Sequence, residues 1–177
     1  MNRMKNASLE PGTIAFNVVA AQLRDPDFAE QFLALLSLHD VRPDEIEIEV
    51  TENVILDRSA GNLIGVLRDL HHRGVCISLD DFGTGYASLT HLKRFPINRL
   101  KIDRSFVSGI LDRKDDEVIV RTIISLAHSL GLNVVAEGVE HEDQYKQLSN
   151  FGCDYVQGYH IAKPLNEGDA LSYLRWH

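Results

Sequence analysis

Short, apolar, β-branched runs alternate along this chain with longer stretches in which apolar residues return every three or four positions. Six runs read as strands: Thr13–Val18, Glu45–Val50, Val75–Asp80, Arg99–Ile102, Asn133–Ala136 and Tyr155–Tyr159. Between them the period lengthens to that of a helix. Phe28–Leu38 follows Pro26 and Asp27, which suit a helix start. Asn62–His72 stops at Gly74, Glu117–Leu130 stops at Gly131, and a shorter helix over Glu142–Phe151 stops at Gly152. Strands alternating with helices of this length predict βα units and a mostly parallel sheet.

Polar residues fall at one place in each unit, the end of the strand. The third run closes on Asp80-Asp81, followed by the glycine-rich segment Phe82-Gly83-Thr84-Gly85-Tyr86, read as a loop. Adjacent acids repel unless a positive charge lies between them, and a divalent cation is the commonest answer; the bland alternative is an acidic turn. The pattern recurs. Asn17 ends the first strand, Glu49 and Glu52 flank the end of the second, Lys101 and Asp103 end the fourth, Glu137 ends the fifth, and Gln157 lies in the sixth. In parallel α/β folds all strand C-termini open on one face, where sites are built. Any one of these residues alone reads as a turn or capping group, whereas six together read as a site.

The donors Asn17, Glu49, Asp80 and Asp81 offer only oxygen, which favours Mg²⁺ or Mn²⁺ over zinc. Asp80 beside Asp81 suits two cations ~3.5–4 Å apart, the arrangement that activates water against a phosphodiester. Lys101 would orient the attacking water or neutralise the transition state, or else serve only as a salt-bridge partner of the acids. Glu137 would take the water's proton or complete a metal shell.

Composition narrows the class. A chain of 177 residues with 44% apolar content suffices for one core. No run approaches the ~18–20 consecutive apolar residues of a membrane span, and the polar opening has no apolar signal region. Residues 1–8 are expected to be a polar segment ahead of a domain over 9–177. Cys76 and Cys153, far apart, read as reduced, buried thiols of a cytoplasmic protein. A net charge of −8 argues against general binding to nucleic acid polymers, though not against a small phosphorylated ligand held through metal.

The strings Asn17-Val18, Glu49-Val50-Thr51-Glu52, Asp80-Asp81-Phe82-Gly83-Thr84-Gly85-Tyr86, Lys101-Ile102-Asp103, Ala136-Glu137-Gly138-Val139-Glu140 and Gln157-Gly158-Tyr159 resemble the EAL-domain family. The likeness runs from about Leu9 to the C-terminus. It implies a modified TIM barrel that hydrolyses cyclic di-GMP to the linear dinucleotide with Mg²⁺ or Mn²⁺, as a homodimer and beside other signalling domains. It assigns Asn17, Glu49 and Asp80 to one metal, Asp80 and Asp81 to the second, and Lys101 and Glu137 to the catalytic water. By the same resemblance Glu52 braces the loop after Asp81 (Phe82–Ser88, including Gly83, Thr84 and Gly85), which couples the site to the dimer interface. Asp103, Gln157 and Pro164 line the substrate groove. The chain departs from the family pattern at Val19 and Ala87, where the family usually has Ser. The resemblance further implies eight strands, of which six are read here, and a Glu-Ala-Leu tripeptide, which does not occur in this sequence. Its Glu would be another ligand of the first metal, and an Arg shortly after it would contact a substrate phosphate. Unpaired edges at the first and last strands are therefore expected to favour self-association or an open barrel of low stability and weak activity. A catalytically inactive module that binds cyclic di-GMP or protein partners is the alternative.

Overall fold

A computed structural model describes residues 12–56, 62–85 and 89–176. The elements run β1 (Ile14–Asn17), α1 (Ala20–Leu23), α2 (Phe28–Leu38), a 3₁₀ turn at Pro43–Glu45, β2 (Ile46–Thr51), α3 (Glu52–Leu56) and α4 (Leu63–His72). They continue with β3 (Cys76–Phe82), α5 (Leu89–Arg94), β4 (Arg99–Ile102), α6 (Arg104–Ser108), α7 (Lys114–Ser129), β5 (Asn133–Glu137), α8 (Glu142–Asn150), β6 (Tyr155–Gln157) and α9 (Glu167–Trp176).

All six strands are parallel, and their order in the sheet is their order in the sequence. A doubly wound sheet would reverse direction at a switch point; this one never does, so it curls as the wall of a barrel. The expected TIM-barrel-like fold with six strands is thus what forms, as a half-barrel whose edges among the described residues are β1 and β6.

Alternation within each strand decides which face is which. Ile46, Ile48 and Val50 of β2, Ile77 and Leu79 of β3, and Leu100 and Ile102 of β4 are buried on the outer, helix-covered face. Glu47 and Glu49, Ser78 and Asp80, and Arg99 and Lys101 take the opposite face. The outer face is sealed by amphipathic helices. On α4, Leu63, Val66, Leu67 and Leu70 recur at i, i+3, i+4 and i+7, and all four are buried. Each is worth roughly 1.5–3 kcal/mol of burial.

Some boundaries differ from the sequence reading. Strand β3 continues two residues past Asp80, so buried Phe82 ends the strand instead of opening the loop. Helix α7 starts at Lys114, three residues early, because Asp115, Asp116 and Glu117 place negative charge against the helix's positive end. The short helices α1, α3, α5 and α6 were not anticipated, since one or two turns show too little periodicity. Cys76 and Cys153 are free but only half-buried, a correction to the expected burial. Burial nonetheless pushes both thiols up to about 11, which disfavours the nucleophilic thiolate at neutral pH. Among the described residues no helix is long and apolar enough to cross a membrane.

Candidate functional site

The site begins with a break in the pleat of β3. Consecutive side chains on a regular strand point to opposite faces, so Asp80 and Asp81 would ordinarily be separated by the sheet. Here the register slips between Leu79 and Phe82, and Asp81 takes a left-handed backbone with φ of 55°. Aspartate is among the few residues that tolerate this conformation. The irregularity lets oxygens of Asp80, Asp81 and, from β5, Glu137 lie within 4.8 Å of one another. The Asp81 N–H donates back to Asp80 Oδ1 at 3.0 Å, fixing the turn.

Lys101 rises from β4 into this group. It is 3% exposed, and its ammonium lies 2.6 Å from Glu49 Oε1, 2.6 Å from Glu137 Oε1 and 3.2 Å from Asp80 Oδ1. Burial alone would lower its pKa, but the hydrogen bonds to Glu137 and Glu49 prevail and hold the ammonium above its ordinary range. The acids show the converse. Burial lifts the Glu137 carboxyl above its usual range against the pull of Lys101, and burial followed by repulsion from Asp80 and Asp103 lifts Asp81. Glu49, Asp80, Asp81 and Glu137 set four carboxylates against one ammonium. The donor set is all oxygen and short of positive charge, so a hard divalent cation fits it.

Glu52 follows Glu49 by three residues, yet it faces elsewhere. At the start of α3 and 4% exposed, it accepts the Gly83 N–H at 2.9 Å through Oε1. A side chain at Gly85 would overlap the same carboxylate, which is why the segment passes so close. Thr84 turns its hydroxyl onto the Asp81 carbonyl at 2.9 Å. Glu52 therefore holds the backbone that follows Asp81. The rest of the expected loop, residues 86–88 with Ala87, lies outside the described residues.

A cleft of about 730 Å³ opens beside the acids, with Glu137 and Gln157 in its walls together with Arg104, Ser108, His141 and Gln144. Gly138 sits there with φ of +70°, and an added Cβ would come 2.5 Å from that of Arg104, so glycine admits the close approach of α6 to the end of β5. The other expected residues divide. Asn17 ends β1 in register with Glu49, its side chain exposed. Asp103 caps α6 by accepting the Ser105 N–H at 3.0 Å, and its charge is felt by Asp81. Pro164 stands on the exposed segment before α9, outside the walls of this cleft. Val19 is 58% exposed and precedes α1 without a side-chain cap, a place where a hydroxyl would serve. Arg104, Ser108, His141 and Gln144 are cleft residues that sequence reasoning passed over; the signal for Arg104 was a basic residue directly after Lys101-Ile102-Asp103.

Such a face can bind an anion through bridging cations and hold a water beside buried carboxylates. Comparison with known proteins agrees. Residues 1–164 match the EAL domain family. The chain is 36% identical over 172 residues to the cyclic di-GMP phosphodiesterase RocR of Pseudomonas aeruginosa, covering 97% of this chain and 44% of that protein. It spans only 19–23% of several other curated relatives. Among solved structures, the EAL domain of DcpA from Mycobacterium smegmatis superposes with a TM-score of 0.92 at 34% identity, over 98% of this chain and 78% of that one. BlrP1 of Klebsiella pneumoniae, solved as a manganese and cyclic di-GMP complex, gives 0.82 at 30% identity, over 91% and 41%. With its sequence matched over nearly the whole chain and its six-stranded half-barrel superposed at this level, the chain belongs to the EAL-domain family.

Proposed function

We propose that this chain hydrolyses cyclic di-GMP to the linear dinucleotide with two divalent cations, Mg²⁺ or Mn²⁺, within a larger cytoplasmic signalling protein. The observation that carries the reading is the convergence of Asp80, Asp81 and Glu137 oxygens within 4.8 Å, beside a lysine buried among acids. Asn17, Glu49 and Asp80 would hold one cation and Asp80 and Asp81 the other, and cations held there would supply Lewis-acid polarisation of the phosphodiester and of a water. Glu137, already lifted in pKa by burial, is suited to receive that water's proton at Oε1 or Oε2. Lys101 holds Glu49, Asp80 and Glu137 in place. Gln157, Asp103 and Pro164 would line the groove for the nucleotide.

Incubating the protein with cyclic di-GMP tests the reading: Mn²⁺ or Mg²⁺ should yield the linear dinucleotide, and EDTA should abolish the yield. A second reading, a module that binds cyclic di-GMP or protein partners without cleaving it, draws on Lys101, which already satisfies three of the acids. Nucleotide binding without metal-dependent turnover would establish that alternative.

The Glu52 contact carries its own expectation. In Glu52→Ala the Gly83 N–H loses its acceptor, a part-buried hydrogen bond worth about 1 kcal/mol. Hydrogen exchange over residues 83–85 should accelerate, turnover should fall about tenfold, and any homodimer coupled through this segment should loosen, while Mn²⁺ binding is kept. Unchanged exchange at Gly83 would show that the carboxylate is not what orders the segment.

A further inference from the structure

Beneath the site lies a second layer of charge that the proposed function leaves unused. Glu47 stands two residues before Glu49 on β2, Arg99 two before Lys101 on β4, and Tyr155 two before Gln157 on β6, each on the same face as its partner. Two residues along a strand are roughly 6.6 Å. The Arg99 Nη1 pairs with Glu47 Oε2, and its guanidinium carbon lies 4.9 Å from the centre of the Tyr155 ring. Glu47 is 4% exposed, and Arg99 provides its charged hydrogen bond. Two ion pairs are thus stacked between β2 and β4, Glu47–Arg99 below and Glu49–Lys101 above, and both reach across β3. The influence of Glu47 is visible at Cys76, its register neighbour, whose thiol is pushed up first by burial and then by that carboxylate.

A carboxylate buried this deeply is costly to leave charged without a cation. If the guanidinium is removed, the next cation on that face is Lys101, one layer up on the same strand. We propose that Arg99 is a positioning residue for the active centre: by satisfying Glu47 it leaves the Lys101 ammonium to Glu49, Asp80 and Glu137. Arginine suits the task because its planar fork can hold a carboxylate while one face lies on Tyr155. The role at Lys101 builds on the phosphodiesterase reading only where turnover is measured.

The test is a set of variants read two ways. In a crystal structure of Arg99→Met, Lys101 Nζ should lie within hydrogen-bond distance of Glu47 and should have lost Glu137. Adding Glu47→Gln removes the competing charge and should return Lys101 to its three acids; Arg99→Lys should preserve them without the second change. With Mn²⁺ and cyclic di-GMP, kcat of Arg99→Met per folded protein should fall at least tenfold with KM changed less than threefold, and Glu47→Gln in that background should restore most of it. A merely structural role would lower Tm and leave both the lysine's contacts and kcat per folded protein unchanged, which overturns the proposal. So would an Arg99→Met structure in which Lys101 keeps Glu137. If the parent protein shows no turnover, the hydrolase reading falls, while the lysine's contacts in the variant structures still decide this one.

Discussion

Replacing Lys101 with methionine is expected to have the largest effect of any single change, and in two directions at once. The ammonium is buried and touches Glu49, Asp80 and Glu137. Removing one partner of a buried ion pair leaves uncompensated charge, at about 3–5 kcal/mol. For a chain of this size each kcal/mol moves Tm by roughly 2–4 °C, so the metal-free variant should melt about 10 °C below the parent. Millimolar Mn²⁺ or Mg²⁺ should return part of that loss, because a cation bound to the same acids replaces the missing charge. Turnover should not return with it. The pH dependence has a definite sign. Burial already raises the Glu137 carboxyl above its unfolded value, and without the lysine it rises further. The folded state then holds its proton more tightly than the unfolded chain does, so the variant gains stability as pH falls through the raised pKa. A Lys101→Met protein as stable as the parent at pH 7 without metal would mean that the acids do not need the ammonium.

The second large effect is expected at Asp80. It is 9% exposed, contacts Lys101, accepts the Asp81 N–H and shares the oxygen cluster with Asp81 and Glu137, so both proposed cations depend on it. Asp80→Ala should lose about 10²–10³-fold or more in metal-dependent turnover, the scale reached when one preorganised electrostatic contact is removed. Mn²⁺ titration followed by paramagnetic resonance should find no tight site. Asp81 should behave differently, disturbing mainly the second cation, and the backbone at that position dictates the substitution. Alanine there adds strain at φ of 55°, whereas asparagine tolerates the conformation and removes only the charge. Full turnover of Asp80→Ala in Mg²⁺ would refute the bridging role.

Alternation in β2 and β4 marks which of their residues face the site, because Glu-x-Glu and Arg-x-Lys interleave with fully buried Ile48 and Leu100. That the sheet is mostly parallel could be inferred from the helices read between most of the strands, whereas the barrel was implied only by the family resemblance. What stayed hidden was partnership. Nothing local in Glu47 or Arg99 announces the other, 52 positions away, and only the skipped strand between them brings the pair together. Nor does the dipeptide Asp80-Asp81 disclose that a register slip turns both acids to one side. Asp103 read as a groove residue, yet one of its oxygens caps α6, since a short polar side chain at a helix start meets the nearest unpaired N–H first. Helix α9 was legible and overlooked: Asn166 accepts the Asp169 N–H at 3.0 Å and donates to its carboxylate, a reciprocal start signal just ahead of Leu171 and Leu174.

The sequential strand order bears on how the protein is made. Every sheet neighbour of a strand is the one synthesised immediately before or after it, so the wall can grow outward as the chain leaves the ribosome. Among the described residues no strand must wait for a later one to be inserted beside it. Charge does not follow the same schedule. Glu47, Glu49 and Asp80 emerge on β2 and β3 before Arg99 and Lys101 arrive on β4, and Glu137 arrives later still. The half-made wall therefore carries a run of unneutralised acids until the fourth strand brings the two cations that pair Glu47 and Glu49, and even then the acids outnumber them.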